Sequence, residues 1–258
     1  MSKLIFVTGA SSGIGQALAW RYYQDGYDLA LVARRTQDMQ AWATKQGLAE
    51  SRYQIYGADV AVIDSIVAAA RLCLERQGVP DVVIANAGVS IGVDTAVRGD
   101  LDVLVQTFAI NNVGLAATFH AFVEPMVQRG SGALVGIGSV AGIRGLPGHG
   151  AYCASKAAVI GYCESLRGEL RHAGVKVVTI CPGYIDTPLT QKNRYAMPFL
   201  MQPEVFAEKA FRAIGAGASY RVIPWQMGWV AKGLRLLPNW LFDKVLSGRP
   251  RKRRANEV

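Results

Sequence analysis

With 258 residues, 51% of them hydrophobic, and 28 Lys and Arg against 19 Asp and Glu, the chain has enough apolar surface for a large core, which excludes a disordered protein and a small disulfide-stapled scaffold. Its four Cys, at 73, 153, 163 and 181, show no CxxC or Cys/His spacing suited to a metal and read as free thiols in a reducing compartment. No stretch reaches the ~18 uninterrupted apolar residues of a spanning helix. The run LIFV enters a Gly-rich turn so soon after Met1 that no cleavable leader fits, and the expected location is the cytoplasm.

In chain order, short β-branched apolar runs alternate with stretches whose apolar residues recur every three or four positions. KLIFVT (3–8) predicts a strand and 14–24 a helix; DLALVA (28–33) and 37–46 repeat the pair; YQIYGA (53–58) and 63–76 repeat it again. DVVIA (81–85), a helical run at 103–128, GALVGIG (132–138), a helical run at 151–171, VKVVTIC (175–181) and YRVIP (220–224) bring the strands to seven. Strands apolar on both faces and separated by helices call for a parallel α/β sheet covered on both sides, and right-handed crossovers narrow this to a doubly wound topology. Residues 182–203, with Pro182, Gly183, Pro188, Pro198 and Pro203, predict an irregular, mobile segment whose part at about 184–203 covers the substrate.

The main domain is expected to span 1–224, leaving 225–258 as a helical extension and tail. Residues 225–246 hold three of the five Trp in an amphipathic pattern broken at Pro238, suited to packing on the body or another subunit, or to docking on an anionic membrane or greasy substrate. Arg249, Arg251, Lys252, Arg253 and Arg254 against Glu257 place +4 of the net +9 in the last ten residues, a run that reads as a solvated tail. The body is only mildly basic, and no nucleic-acid partner is expected.

The first strand runs into Thr8-Gly9-Ala10-Ser11-Ser12-Gly13-Ile14-Gly15 and then into a helix. Such a turn presents unpaired N–H groups and the positive end of a helix dipole to a diphosphate, and glycines let the backbone approach it closely. At the tip of the second strand stand Arg34 and Arg35, with no acid. An acid there accepts from the adenosine ribose hydroxyl, whereas Arg attracts a 2′-phosphate, so NADP(H) is expected in preference to NAD(H). Arg34 is the stronger candidate; Arg35 is expected to point to solvent.

From residue 3 to about 224 the chain resembles the short-chain dehydrogenase/reductase family. TGASSGIG at 8–15, Asp59-Val60, Asn86-Ala87-Gly88, Asn111-Asn112-Val113-Gly114, Ser139, Tyr152-x-x-x-Lys156 and Pro182-Gly183 through Thr187 follow one another in family order, and the GxxxGxG spacing is similar to that of its compact oxidoreductase branch. The resemblance implies a Rossmann-type fold. It also implies contacts of Gly9, Ser11, Ser12, Gly13, Ile14 and Gly15 with the diphosphate, of Asp59 and Val60 with adenine, of Asn86, Ala87 and Gly88 with the adenosine ribose, and of Pro182, Gly183, Ile185 and Thr187 with the carboxamide end. Ala85 departs from the Asn frequent there in the family, at a position without a chemical role.

Tyr152 and Lys156, four apart, share one helix face. A phenol near its ordinary pKa of ~10 is poorly matched to proton transfer at neutral pH, so a nearby ammonium and an oxidised nicotinamide are expected to lower it. Tyr152 then acts as general acid or base, Lys156 also reaches the nicotinamide ribose, Ser139 at a strand end donates to the substrate oxygen, and Asn111 is implied to hold a proton-relaying water. His149 reads as an ordinary turn residue. The resulting expectation is an NADP(H)-dependent enzyme interconverting a carbonyl and a secondary alcohol on a small, hydrophobic molecule. The resemblance also implies a homodimer or homotetramer, for which small residues Ala154, Ala157, Ala158 and Gly161 permit close helix approach. The alternative is a cofactor-binding, membrane- or partner-associated protein whose catalytic residues idle.

Overall fold

A computed structural model describes residues 2–257 apart from 192, 194 and 249. Among the described residues, seven strands form one parallel sheet in the order β3-β2-β1-β4-β5-β6-β7: β1 (Leu4–Thr8), β2 (Asp28–Ala33), β3 (Tyr53–Gly57), β4 (Val82–Ala85), β5 (Gly132–Ile137), β6 (Val175–Pro182) and β7 (Tyr220–Ile223). Alternate residues of each central strand enter opposite layers. Ile5 and Val7 of β1 pack beneath α1 (Gly13–Gln24), α2 (Thr36–Gln46) and α7 (Pro203–Gly215), joining Leu18, Met39 and Phe206. Leu4 and Phe6 face α3 (Ile63–Arg76), α5 (Gly114–Arg129) and α6 (Gly150–Leu170), where Ile66, Phe122 and Val159 complete the other layer.

The connection after β4 differs from the single helical run expected at 103–128. It begins earlier, as α4 (Arg98–Phe108), widens into a π-helical turn at Ala109–Val113, and continues as α5. Helix α7 was not foreseen: the prolines before it mask a helix that starts with Pro203 in its first turn, where a missing N–H costs nothing. The chain closes with α8 (Trp225–Leu236) and α9 (Asn239–Leu246), separated at Leu237-Pro238. No helix among the described residues is long and apolar enough to cross a membrane. The order of strands reverses between β1 and β4, and at such a switch point the loops above the carboxyl ends part to leave a crevice.

Candidate active site

A cleft of about 410 Å³ opens along that carboxyl edge. Its floor at one end is the turn between β1 and α1. Gly9 and Gly13 have φ of +68° and +56°, conformations that other L-residues rarely adopt. A Cβ on Gly15 would lie 2.2 Å from the Gly9 carbonyl oxygen, so the helix can start hard against the turn only with glycine there. Ser12, which precedes α1, caps none of its N–H groups through its side chain, leaving the helix N-terminus available to an anion. From the side, Asn86 Nδ2 donates to the Thr8 carbonyl at 3.0 Å, while Thr8 Oγ1 accepts from the N–H groups of Asn86 (3.1 Å) and Ala87 (3.2 Å). Donors, dipole and a floor stripped of Cβ atoms fit a dinucleotide.

The residues expected to hold nucleotide and substrate all line this cleft except two. Gly15 lies beneath the turn, and Asn111 stands behind the wall. At the end of the cleft beside the β2 tip, Arg34 Nη1 is 3.6 Å from Asp59 Oδ2. Arg35 does not simply point to solvent: it lines the cleft, and its Nη2 donates to Ser11 Oγ at 3.1 Å. Its place at the strand tip directly beside Arg34 was the available signal.

At the other end, Ser139 follows β5 and is buried, its Oγ accepting from the Ala141 N–H at 3.1 Å. Ser139 and Tyr152 line the cleft together. Burial pushes the Tyr152 phenol up to about 12, Ser139 pulling weakly the other way. Burial of the chain's own groups thus acts against the lowering expected from a nearby ammonium and an oxidised nicotinamide. Lys156 Nζ is 5.9 Å from the centre of the Tyr152 ring and donates instead to the Ile137 carbonyl at 2.8 Å, and burial pushes the amine itself down to about 8. Desolvation penalises both charged forms and is the largest influence on each.

Asn111 sits in the π-helical turn with its side chain fully engaged. Its Oδ1 accepts from the Val89 N–H at 2.9 Å, and its Nδ2 donates to the Val89 carbonyl at 3.1 Å and to Ser155 Oγ at 2.9 Å. Ser155, which sequence reasoning passed over, is fully buried and donates to the Tyr152 carbonyl at 2.8 Å, keying the turn to α6. Gly88 lies against both the π-helical turn and α6: a Cβ there would be 3.2 Å from Asn111 Oδ1 and 3.5 Å from Lys156 Nζ. Thr187 closes the cleft from above, its methyl 3.0 Å from where a Gly13 Cβ would be, with Pro188, Leu189 and Thr190 continuing the wall.

The mouth holds two surprises. His149 is buried, with Nε2 3.2 Å from the Tyr195 hydroxyl and Nδ1 3.2 Å from the Pro147 carbonyl; burial, and then the nearby Lys252 charge, lower its pKa. The basic tail is solvated at Arg251 but held from Lys252 to Arg254. Lys252 is buried and its Nζ donates to Asn193 Oδ1 at 2.6 Å and to the Leu189 carbonyl at 3.2 Å; the Arg253 carbonyl accepts from the Gly92 N–H at 2.9 Å; Arg254 Nε reaches Asp100 Oδ2 at 2.8 Å. The nearly buried Asp100 carboxylate needs a cation, and Gly92 lets the tail backbone come close, which explains why the run folds back. Arg249 of the run, and residues 192 and 194 of the segment expected to cover the substrate, lie outside the described residues.

A model of the family described as short chain dehydrogenase matches residues 3–197. An uncharacterized oxidoreductase of Myxococcus xanthus is 38% identical over 241 residues, covering 93% of this chain and 95% of that protein. An alcohol dehydrogenase from the archaeon Thermococcus sibiricus, solved in complex with 5-hydroxy-NADP, superposes with a TM-score of 0.76 at 26% identity over 86% of this chain and 95% of its own. A short chain dehydrogenase/reductase from Burkholderia phymatum in complex with NAD shares the fold, with a TM-score of 0.81 at 24% identity over 96% of both chains.

Proposed function

Because the chain belongs to the short-chain dehydrogenase/reductase family of oxidoreductases, we propose that it interconverts a carbonyl and a secondary alcohol by hydride transfer, with NADP(H) as cofactor and Tyr152 as general acid and base. The observation that carries this reading is the meeting of Ser139, Tyr152 and Lys156 in the lining of one cleft, with Tyr152 one helical turn from the buried Lys156. When bound, the nicotinamide cofactor supplies or accepts the hydride. The chain does the rest.

In the reducing direction Ser139 and Tyr152 both donate to the substrate oxygen, and Tyr152 transfers its proton as negative charge develops there. A phenol kept protonated through the neutral range suits that donating role. Lys156 holds the nicotinamide ribose and restores the proton. Since the Asn111 side chain is spent on Val89 and Ser155, a water bridging toward Lys156 rests on the Asn111 backbone carbonyl, in the widened π-helical turn. The glycine turn and the α1 N-terminus receive the diphosphate, Asp59 and Val60 the adenine, Asn86 to Gly88 the adenosine ribose, and Pro182, Gly183, Ile185 and Thr187 the carboxamide. Arg34 and Arg35 together take the 2′-phosphate, which favours NADPH; the complex of the Thermococcus sibiricus relative with an NADP derivative supports this. The apolar Pro188 and Leu189 in the wall suit a small hydrophobic substrate. The exposed small-residue face of α6 (Ala154, Ala157, Ala158, Gly161), with exposed Leu101, Leu104 and Val105 on the adjoining α4, supports self-association into a dimer or tetramer.

The test is NADPH oxidation across a panel of ketones and aldehydes, followed by nicotinamide absorbance. Tyr152→Phe is expected to lower turnover by about 10²–10⁴-fold while NADPH still binds in a fluorescence titration. Turnover near the wild-type rate in that variant overturns the reading, and nucleotide binding without turnover of any carbonyl by the wild type assigns the chain to a binding role.

A further inference from the structure

The two closing helices are fixed to the body by one face only. α8 buries Met227, Gly228 and Ala231, and Met227 reaches the cleft wall, where a Cβ on Gly183 would come within 2.8 Å of its Cγ. Arg144 ties α8 to α9: its guanidinium donates to the carbonyls of Leu234 and Leu237 and to Asn239 Oδ1, and lies 3.7 Å from the centre of the buried Phe242 ring. This one side chain satisfies carbonyls at the end of α8 and covers the inner face of α9.

The residues opposite Met227 at helical spacing are Trp225, Trp229 and Leu236. They are 66%, 69% and 85% exposed, and Trp240, opposite Phe242 on α9, is 69% exposed. Three indoles and a leucine with this much surface in water mark a contact face rather than scattered surface residues. Lys232 lies inside the stripe, its Nζ 5.6 Å from the centre of the Trp229 ring. Arg235 and Lys244 add two more cations, against Asp243 as the one acid of the two helices. A second copy meeting this face across a twofold axis sets those cations against themselves. A bilayer with anionic headgroups answers both features together, taking indoles at the boundary of headgroup and acyl chain and Lys and Arg among the phosphates.

We propose that the outer face of α8 and α9 docks the protein on an anionic lipid surface, with Trp225, Trp229, Leu236 and Trp240 entering the interfacial layer. The attachment runs through the helices and not through the basic tail, which is spent on the mouth. The docked helix is the one that braces the cleft at Gly183. This surface stands independently of the oxidoreductase reading.

The test is co-sedimentation of the full chain with vesicles of phosphatidylcholine alone or mixed with phosphatidylglycerol. Binding is expected to the mixed vesicles only, to weaken with salt, and to shift tryptophan emission to the blue. The triple variant Trp225→Ser, Trp229→Ser, Trp240→Ser is expected to lose about tenfold or more of that binding with unchanged circular dichroism and NADPH affinity, and Lys232→Glu with Lys244→Glu to weaken it separately. Equal binding by wild type and triple variant overturns the proposal. So does absence of wild-type binding to either vesicle, and light scattering that shows the triple variant turning a dimer into a monomer then assigns the face to a second copy.

Discussion

A buried lysine makes the folding of this chain depend on pH in a way that can be isolated. Lys156 titrates at about 8 in the folded protein against an ordinary value of 10.5. Below pH 8 the folded state carries the full cost of a buried charge. Between about 8 and 10.5 the unfolded chain binds the extra proton, so this residue's contribution to stability rises with pH through that window. Lys156→Met is therefore expected to exceed the wild type near pH 7 by up to about 3 kcal/mol, less whatever the lost bond to Ile137 costs. The gap should close toward pH 10.5 in thermal denaturation of the nucleotide-free protein. A gap that stays constant across the window would show that the amine is not desolvated. At the other end of the cleft, Arg35→Ala is expected to weaken NADPH by about 10- to 100-fold, a charged hydrogen bond's worth, and to leave NADH within a few-fold. Equal losses for both nucleotides in fluorescence titrations would mean that Arg35 only shapes the turn through Ser11.

The elements were most legible where burial is two-sided. β2 spans the residues read from DLALVA, and Ile63–Arg76 matches its helical run, because a central strand or a covering helix carries its pattern in the side chains themselves. The π-helical turn carries no such mark: apolar residues at three- and four-residue spacing read the same whether the backbone closes every four residues or briefly every five. Arg98–Asp102 starts α4 on a charged, exposed pair that periodicity cannot see. The same limit hid Ser155, a small polar residue between Tyr152 and Lys156 whose importance comes from Asn111, far away in sequence. Ser155→Ala is expected to cost about 1–3 kcal/mol by stranding the Asn111 amide and to lower kcat more than nucleotide affinity; an unchanged kcat would uncouple the π-helical turn from the chemistry. The motifs that gave the site residues were legible because glycines at fixed offsets and a Tyr and Lys one turn apart are local facts. The direction of the Tyr152 shift was not, because it depends on how much water the folded pocket excludes.

At the scale of the molecule, the tail is the clearest case of tertiary context overriding composition. A run of Arg and Lys reads as solvated because nothing nearby in sequence can hold it; Asp100 in α4, and Asn193 with the Leu189 carbonyl in the segment after β6, hold it from two separate places. Leu189 also lines the cleft, so the tail bears on the cleft wall beyond Thr187. A chain stopped at residue 248 is expected to bind NADPH within about twofold of the full chain, while its KM for a carbonyl substrate rises about tenfold as the mouth loosens. Unchanged steady-state constants would show the tail to be ornamental to turnover.

The tail also laces together parts of the molecule that lie far apart in sequence. Residues 252–254 join Gly92 and Asp100, after β4, to Leu189 and Asn193, after β6, so that pulling either segment away from the cleft it borders must first undo this lacing.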